Sequence, residues 1–150
     1  LLTKYRFVIF TLVGLLLFSS VITGSCDLIT GADTGNQDQE PQIYDVTVDK
    51  AYDLIQENAE NPDFVIIDVR TVEEYDSGYI EGAINIDHYS KDFTAQLDIL
   101  DKDKTYLVYC RIGRRSAGAR DIMAELGFRE VYNMSGGIVE WEAKGLPLVR

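Results

Sequence analysis

Thr105-Tyr106-Leu107-Val108-Tyr109-Cys110-Arg111-Ile112-Gly113-Arg114-Arg115-Ser116 is the stretch that decides the fold. Five apolar or β-favouring residues run straight into a cysteine, and a short basic loop follows. Beyond it Ala119, Ile122, Met123 and Leu126 recur at i, i+3, i+4 and i+7, the spacing of one helix face, and Gly127 supplies a stop. A strand that empties through a loop into a helix is the repeating unit of an α/β sheet with parallel strands.

The flanking sequence repeats that unit. Phe64-Val65-Ile66-Ile67 is a continuous apolar run, as expected of a strand covered on both faces, and it ends in Asp68-Val69-Arg70. Val48, Ala51, Tyr52 and Ile55 predict a helix over Val48–Glu57 with one buried stripe. Thr71-Val72-Glu73-Glu74 has the form of a capping box opening a short helix. Ala83–Ile86 and Val131-Tyr132 read as further strands, and Gly136-Gly137 leads into a helix around Val139–Ala143. The folded domain is thus expected over residues 43–150.

In an open parallel sheet, ligands gather where strands end and loops enter helices, and Cys110 stands at such a point. Two effects are expected to lower its pKa. The helix N-terminus offers free N–H groups and a partial positive charge, and Arg111, Arg114 and Arg115 crowd cations around the sulfur. Thiolates so placed have pKa values of roughly 3.5–7.5, against about 8.5 for a free cysteine. Gly113 permits the tight curl by which successive N–H groups form an anion nest. Three arginines in five residues fit badly with the alternative, a buried core thiol.

Composition narrows the classes. The formal charge of −11 disfavours nucleic acid, whose phosphates need a basic surface. Two cysteines without a C-x-x-C pair argue against a thioredoxin-type redox site, although a Cys26–Cys110 disulfide stays open at this level. One histidine and no Cys/His cluster argue against zinc. That residue, His88, reads as a loop or surface position and not as a ligand or base.

Three motifs together resemble the single-domain rhodanese-like sulfurtransferases. They are Cys110–Ser116, the upstream pair Asp68-Val69-Arg70 and Gly78-Tyr79-Ile80-Glu81-Gly82-Ala83-Ile84-Asn85-Ile86, and Met134-Ser135-Gly136-Gly137-Ile138-Val139-Glu140-Trp141 followed by Gly145-Leu146-Pro147. The resemblance implies a five-stranded parallel sheet with helices on both faces. It further implies that Cys110 takes a sulfane sulfur from a small donor such as thiosulfate and hands it, as a persulfide, to a thiophilic acceptor such as cyanide or a thiol. The acceptor could be a protein, and no cofactor or metal is implied; by cysteine count, a lipidated Cys26 would leave Cys110 the only free thiol and make the acceptor external. By the same resemblance Cys110 is the nucleophile, and the backbone of Arg111, Ile112, Gly113, Arg114 and Arg115 cradles its sulfur. Asp68 and Arg70 either line the pocket or brace its loop as an ion pair. Glu74 is within the capping box and could reach a loop arginine. Trp141 is expected in the core or pocket wall. Tyr79 stands where the family most often has His, a change expected to affect packing.

Related cysteine phosphatases place five residues between Cys and Arg to enclose a phosphate. Here that arginine would fall at Ser116, whereas Arg115 fits the shorter loop. A non-catalytic sulfur carrier or partner-binding module is the other alternative.

Residues 1–25 read as an export signal: Lys4 and Arg6, then a nearly unbroken apolar run from Phe7 to Ile22, then small residues. That run is shorter than the roughly 20 residues a spanning helix prefers, and an uncleaved anchor is the alternative. Thr23-Gly24-Ser25-Cys26 resembles a bacterial lipoprotein processing site, with Thr23 where Leu is usual. On that reading Cys26 is lipidated and residues 26–42 form a polar tether reaching roughly 20–25 Å. The domain is then expected to be held on the outer side of the bacterial plasma membrane. Loss of Lys4 and Arg6 would leave the mature chain more acidic still, so it would not lie flat on anionic lipid.

Overall fold

The computed structural model describes residues 40–150. The segment expected to be an export signal, Cys26 and most of the expected tether lie outside the described residues. Ten elements alternate along the chain: β1 (Gln42–Val46), α1 (Val48–Glu57), β2 (Phe64–Asp68), α2 (Val72–Asp76), β3 (Ala83–Asn85), α3 (Phe93–Asp98), β4 (Thr105–Tyr109), α4 (Arg114–Glu125), β5 (Glu130–Met134) and α5 (Gly137–Ala143). The strands form one sheet in the order β1-β5-β4-β2-β3, with every pairing parallel.

Alternation along the central strands creates two cores, because successive side chains point to opposite faces. Ile67, Tyr106, Val108 and Cys110 face one side with Phe93 and Leu97 of α3 and Ala119 and Met123 of α4. Ile66, Leu107, Tyr109 and Met134 face the other with Val48 and Ala51 of α1 and Ile138 and Trp141 of α5. The five-stranded parallel sheet covered on both faces is therefore as expected. Trp141 is core, 1% exposed, with its indole N–H donating to the Pro147 carbonyl at 2.9 Å. Tyr79 serves packing: it stacks on Tyr75 at 4.2 Å and pairs in an antiparallel bridge with Val149.

Local chemistry sets the element boundaries. Thr47 caps α1, its hydroxyl accepting the Lys50 N–H. Thr71 and Glu74 exchange hydrogen bonds in a complete capping box at the start of α2. Gly127 leaves α4 at φ +87°, a left-handed conformation that glycine adopts freely. Two elements differ from expectation. The first strand begins at Gln42 within the polar stretch, and α3 has no counterpart in the sequence pattern. Among the described residues no helix is long and apolar enough to cross a membrane.

Candidate active site

Cys110 follows the last residue of β4 and is 1% exposed. Helix α4 begins four residues later with no side-chain cap, although a helix start leaves its first N–H groups without partners. The sulfur fills that role. Gly113 N–H donates to Cys110 Sγ at 3.2 Å, and the Ser116 hydroxyl approaches it at 3.5 Å. Burial is the largest influence on the thiol and pushes its pKa up. The Ser116 hydroxyl and the N–H groups of Ser116, Ile112 and Gly113 together outweigh it and hold the pKa below its ordinary value. Of the two effects expected to lower it, the main one is the hydrogen-bond donors of the loop and first helical turn, ahead of the arginine charge.

The donors point inward because the loop carbonyls are taken elsewhere. Ile138 N–H donates to the Cys110 carbonyl at 2.9 Å and Val139 N–H to the Arg111 carbonyl at 3.1 Å, both at the start of α5. This contact leaves no room for side chains. Gly113 sits at φ +89°, and a Cβ there would fall 2.0 Å from the Ser135 carbonyl oxygen. Gly137, at φ +60°, would place a Cβ 2.5 Å from the backbone of Arg111.

Above the sulfur opens a cavity of about 590 Å³, lined by Glu74, His88, Tyr89, Cys110, Arg111, Ile112, Arg114 and Arg115. Arg111, Ile112 and Arg114 are exposed at its mouth. Arg115 is committed: its guanidinium makes two hydrogen bonds to the Glu74 carboxylate, at 2.6 and 2.8 Å. Those bonds hold the Glu74 carboxyl at about 2, against 4.5 ordinarily. Glu74 therefore does both jobs open to it in the sequence, closing the capping box and anchoring a loop arginine.

Asp68 and Arg70 do not line this cavity. Arg70 donates to both Asp68 carboxylate oxygens, at 2.6 to 3.0 Å, and to the Gly78 carbonyl at 2.6 Å. Both residues are buried. Asn85 Nδ2 donates to the carbonyls of Asp68 and Arg70, at 2.9 Å each. Of the two readings, lining the pocket and pairing with each other, the structure shows the ion pair: both partners are buried and away from the cavity. His88 lies in a loop, as expected, but not away from the site. It is half-buried in the cavity wall, because the loop between β3 and α3 folds back over the Cys110 loop, a path that no local pattern encodes.

Comparison with known proteins places this geometry. The family model of the rhodanese-like domain matches residues 47–144. The tRNA uridine(34) hydroxylase of Pectobacterium atrosepticum is 35% identical over 104 residues, covering 64% of this chain and 29% of that protein. The chain thus spans less than a third of the length of such curated relatives. A rhodanese-related protein of Thermoplasma volcanium superposes with a TM-score of 0.57 at 33% identity, over 73% of this chain and 97% of the other. A polysulfide-sulfur transferase homodimer of Wolinella succinogenes gives 0.58 at 30% identity, over 71% and 78%. The match of that family model over more than half of the chain, with Cys110 and its loop inside the matched segment, shows that the chain belongs to the rhodanese-like domain family.

Proposed function

We propose that the domain is a sulfurtransferase that moves a sulfane sulfur from a donor such as thiosulfate to a thiophilic acceptor through a persulfide on Cys110. The observation that carries this reading is the ring of N–H and O–H donors around Sγ, which stabilises a thiolate without a general base. The thiolate attacks the outer sulfur of thiosulfate, a new S–S bond forms, and sulfite leaves with the electron pair of the bond that breaks. Cyanide or a thiolate then attacks the outer sulfur of the persulfide, and the electron pair of that S–S bond returns to Cys110. Arg111 and Arg114 at the mouth draw the anionic donor in. Cys110 is the sole cysteine among the described residues, so the acceptor comes from outside the domain. A sulfur-transferring activity in one structural relative supports the same chemistry.

The phosphatase alternative loses further ground, since Arg115 is held by Glu74 and is not free to grip a phosphate. A role on tRNA, which the name of the curated relatives states for them, meets a chain of formal charge −11.

Protein incubated with thiosulfate is expected to gain the mass of one sulfur atom on Cys110 and to release thiocyanate when cyanide is added. Cys110→Ala should lower that rate at least about a thousandfold. A variant that keeps the wild-type rate would sink the mechanism, and a protein that loads without turning over would be a carrier. For location, the reading is an exported domain tethered through a lipidated Cys26; labelling with a fatty acid should disappear in Cys26→Ser.

A further inference from the structure

His88 is the chain's single histidine. Its backbone N–H donates to the Val69 carbonyl at 3.3 Å, and its ring lies edge-on to Tyr89 and Phe93, with centroids 5.6 and 4.9 Å apart. On the α4 side stands Gly118, where a methyl group would sit 3.7 Å from Cε1. The ring is therefore packed into one position in the wall of the Cys110 cavity. Nδ1 is buried with no hydrogen-bond partner, which leaves Nε2 as the ring nitrogen able to face the cavity. A proton on Nδ1 would be a buried donor with no acceptor, which favours the tautomer protonated on Nε2.

The surroundings of the ring disfavour its charged form. Burial lowers its pKa most and the Arg115 charge lowers it further, against a smaller opposing effect of Asp87. Glu74 is turned to Arg115; Arg111, Arg114, Tyr89 and Cys110 complete the cavity wall.

The donors described above serve the inner sulfur of Cys110. In a persulfide the outer sulfur stands about 2 Å farther out, one S–S bond into the cavity. Among the side-chain donors there, Arg115 is doubly bound to Glu74, and Arg111 and Arg114 are exposed on long, flexible stems. His88 is the donor that packing holds in place and that no partner claims.

We propose that His88 donates a hydrogen bond from Nε2 to the terminal sulfur of the Cys110 persulfide, stabilising the loaded protein in preference to the empty one. This rests on the sulfur-transfer reading and adds to it a residue that discriminates between the two states of the site. His88 transfers no proton, so the bonds made and broken in loading are unchanged.

The loading equilibrium, Cys110 thiolate plus thiosulfate against persulfide plus sulfite, can be titrated with sulfite in the full chain. His88→Phe, which fills the space without a donor, should shift it about tenfold toward the empty thiolate. His88→Gln, whose amide keeps an N–H, should lie within about threefold of wild type. With one histidine, nitrogen NMR of protein labelled at histidine yields a single ring. Its signals should report the Nε2–H form and move on addition of thiosulfate, and they should stay still in Cys110→Ser. An Nδ1–H form, a ring blind to loading, or an unshifted equilibrium in His88→Phe would overturn the proposal. So would an equal change in the alkylation pH profile of the empty Cys110 thiol, which would show that packing alone had been lost. A wild-type protein that gains no sulfur would instead overturn the sulfur-transfer reading.

Discussion

The ends of β2 and β4 lie side by side at the carboxyl edge of the sheet and treat charge in opposite ways. At β2 an acid and a base stand two residues apart, Asp68 and Arg70, and close on each other through three side-chain hydrogen bonds in the interior. At β4 the segment Cys110–Ser116 holds three arginines and no acid. Nothing local can neutralise it. One arginine borrows Glu74 from α2, and the other two are left at the mouth of the cavity. A motif that satisfies itself becomes scaffold; a motif left unbalanced becomes a site.

That contrast can be broken by substitution. Asp68→Ala leaves Arg70 buried without its partner and should cost about 3–5 kcal/mol in chemical denaturation, as breaking a buried pair from one side does. Glu74→Gln should cost about 1 kcal/mol, because the Arg115 pair is partly solvated and screened. Its pH dependence has a definite sign. The folded carboxyl titrates at about 2 and the unpaired one at 4.5, so its contribution is complete above about pH 4.5 and is lost as pH falls toward 2. Wild type should therefore lose more stability than Glu74→Gln across that window in acid titrations. The smallest stability effect belongs to Arg111→Ala with Arg114→Ala, expected within about 0.5 kcal/mol. In that variant the KM for thiosulfate should rise several-fold, and the difference should shrink as salt is added. If removing these two arginines destabilised the fold as much as Asp68→Ala, the division between scaffold and site would not hold.

What the sequence makes legible follows from range. The apolar run of β2, the stripe of α1 and the Thr71–Glu74 box are local patterns, and each is found where its residues predict it. Helix α3 is not legible because its six residues bury only Phe93 and Leu97, one turn apart, and its N-cap Asp92 makes no side-chain cap bond. The first strand is an edge strand with mostly exposed residues, so its opening Gln42 looks like tether until it pairs with Glu130. At the site, Cys110 and its loop announce themselves by composition. His88 does not, since only the tertiary path of the β3–α3 loop brings it to the sulfur. Asp68 and Arg70 were legible as a pair, but which way they faced depended on burial.

The clamp of α5 on the Cys110 loop has a consequence in time. The N–H groups of Ile138 and Val139 hold the loop carbonyls outward, and Gly137 lies flat against Arg111. A nascent chain leaving the ribosome would carry Cys110 as an ordinary thiol until the closing segment had emerged and docked. On this order of events the thiol ionises no more readily than an ordinary cysteine until the closing segment docks, so its reactivity toward electrophiles stays low while the domain is unfolded.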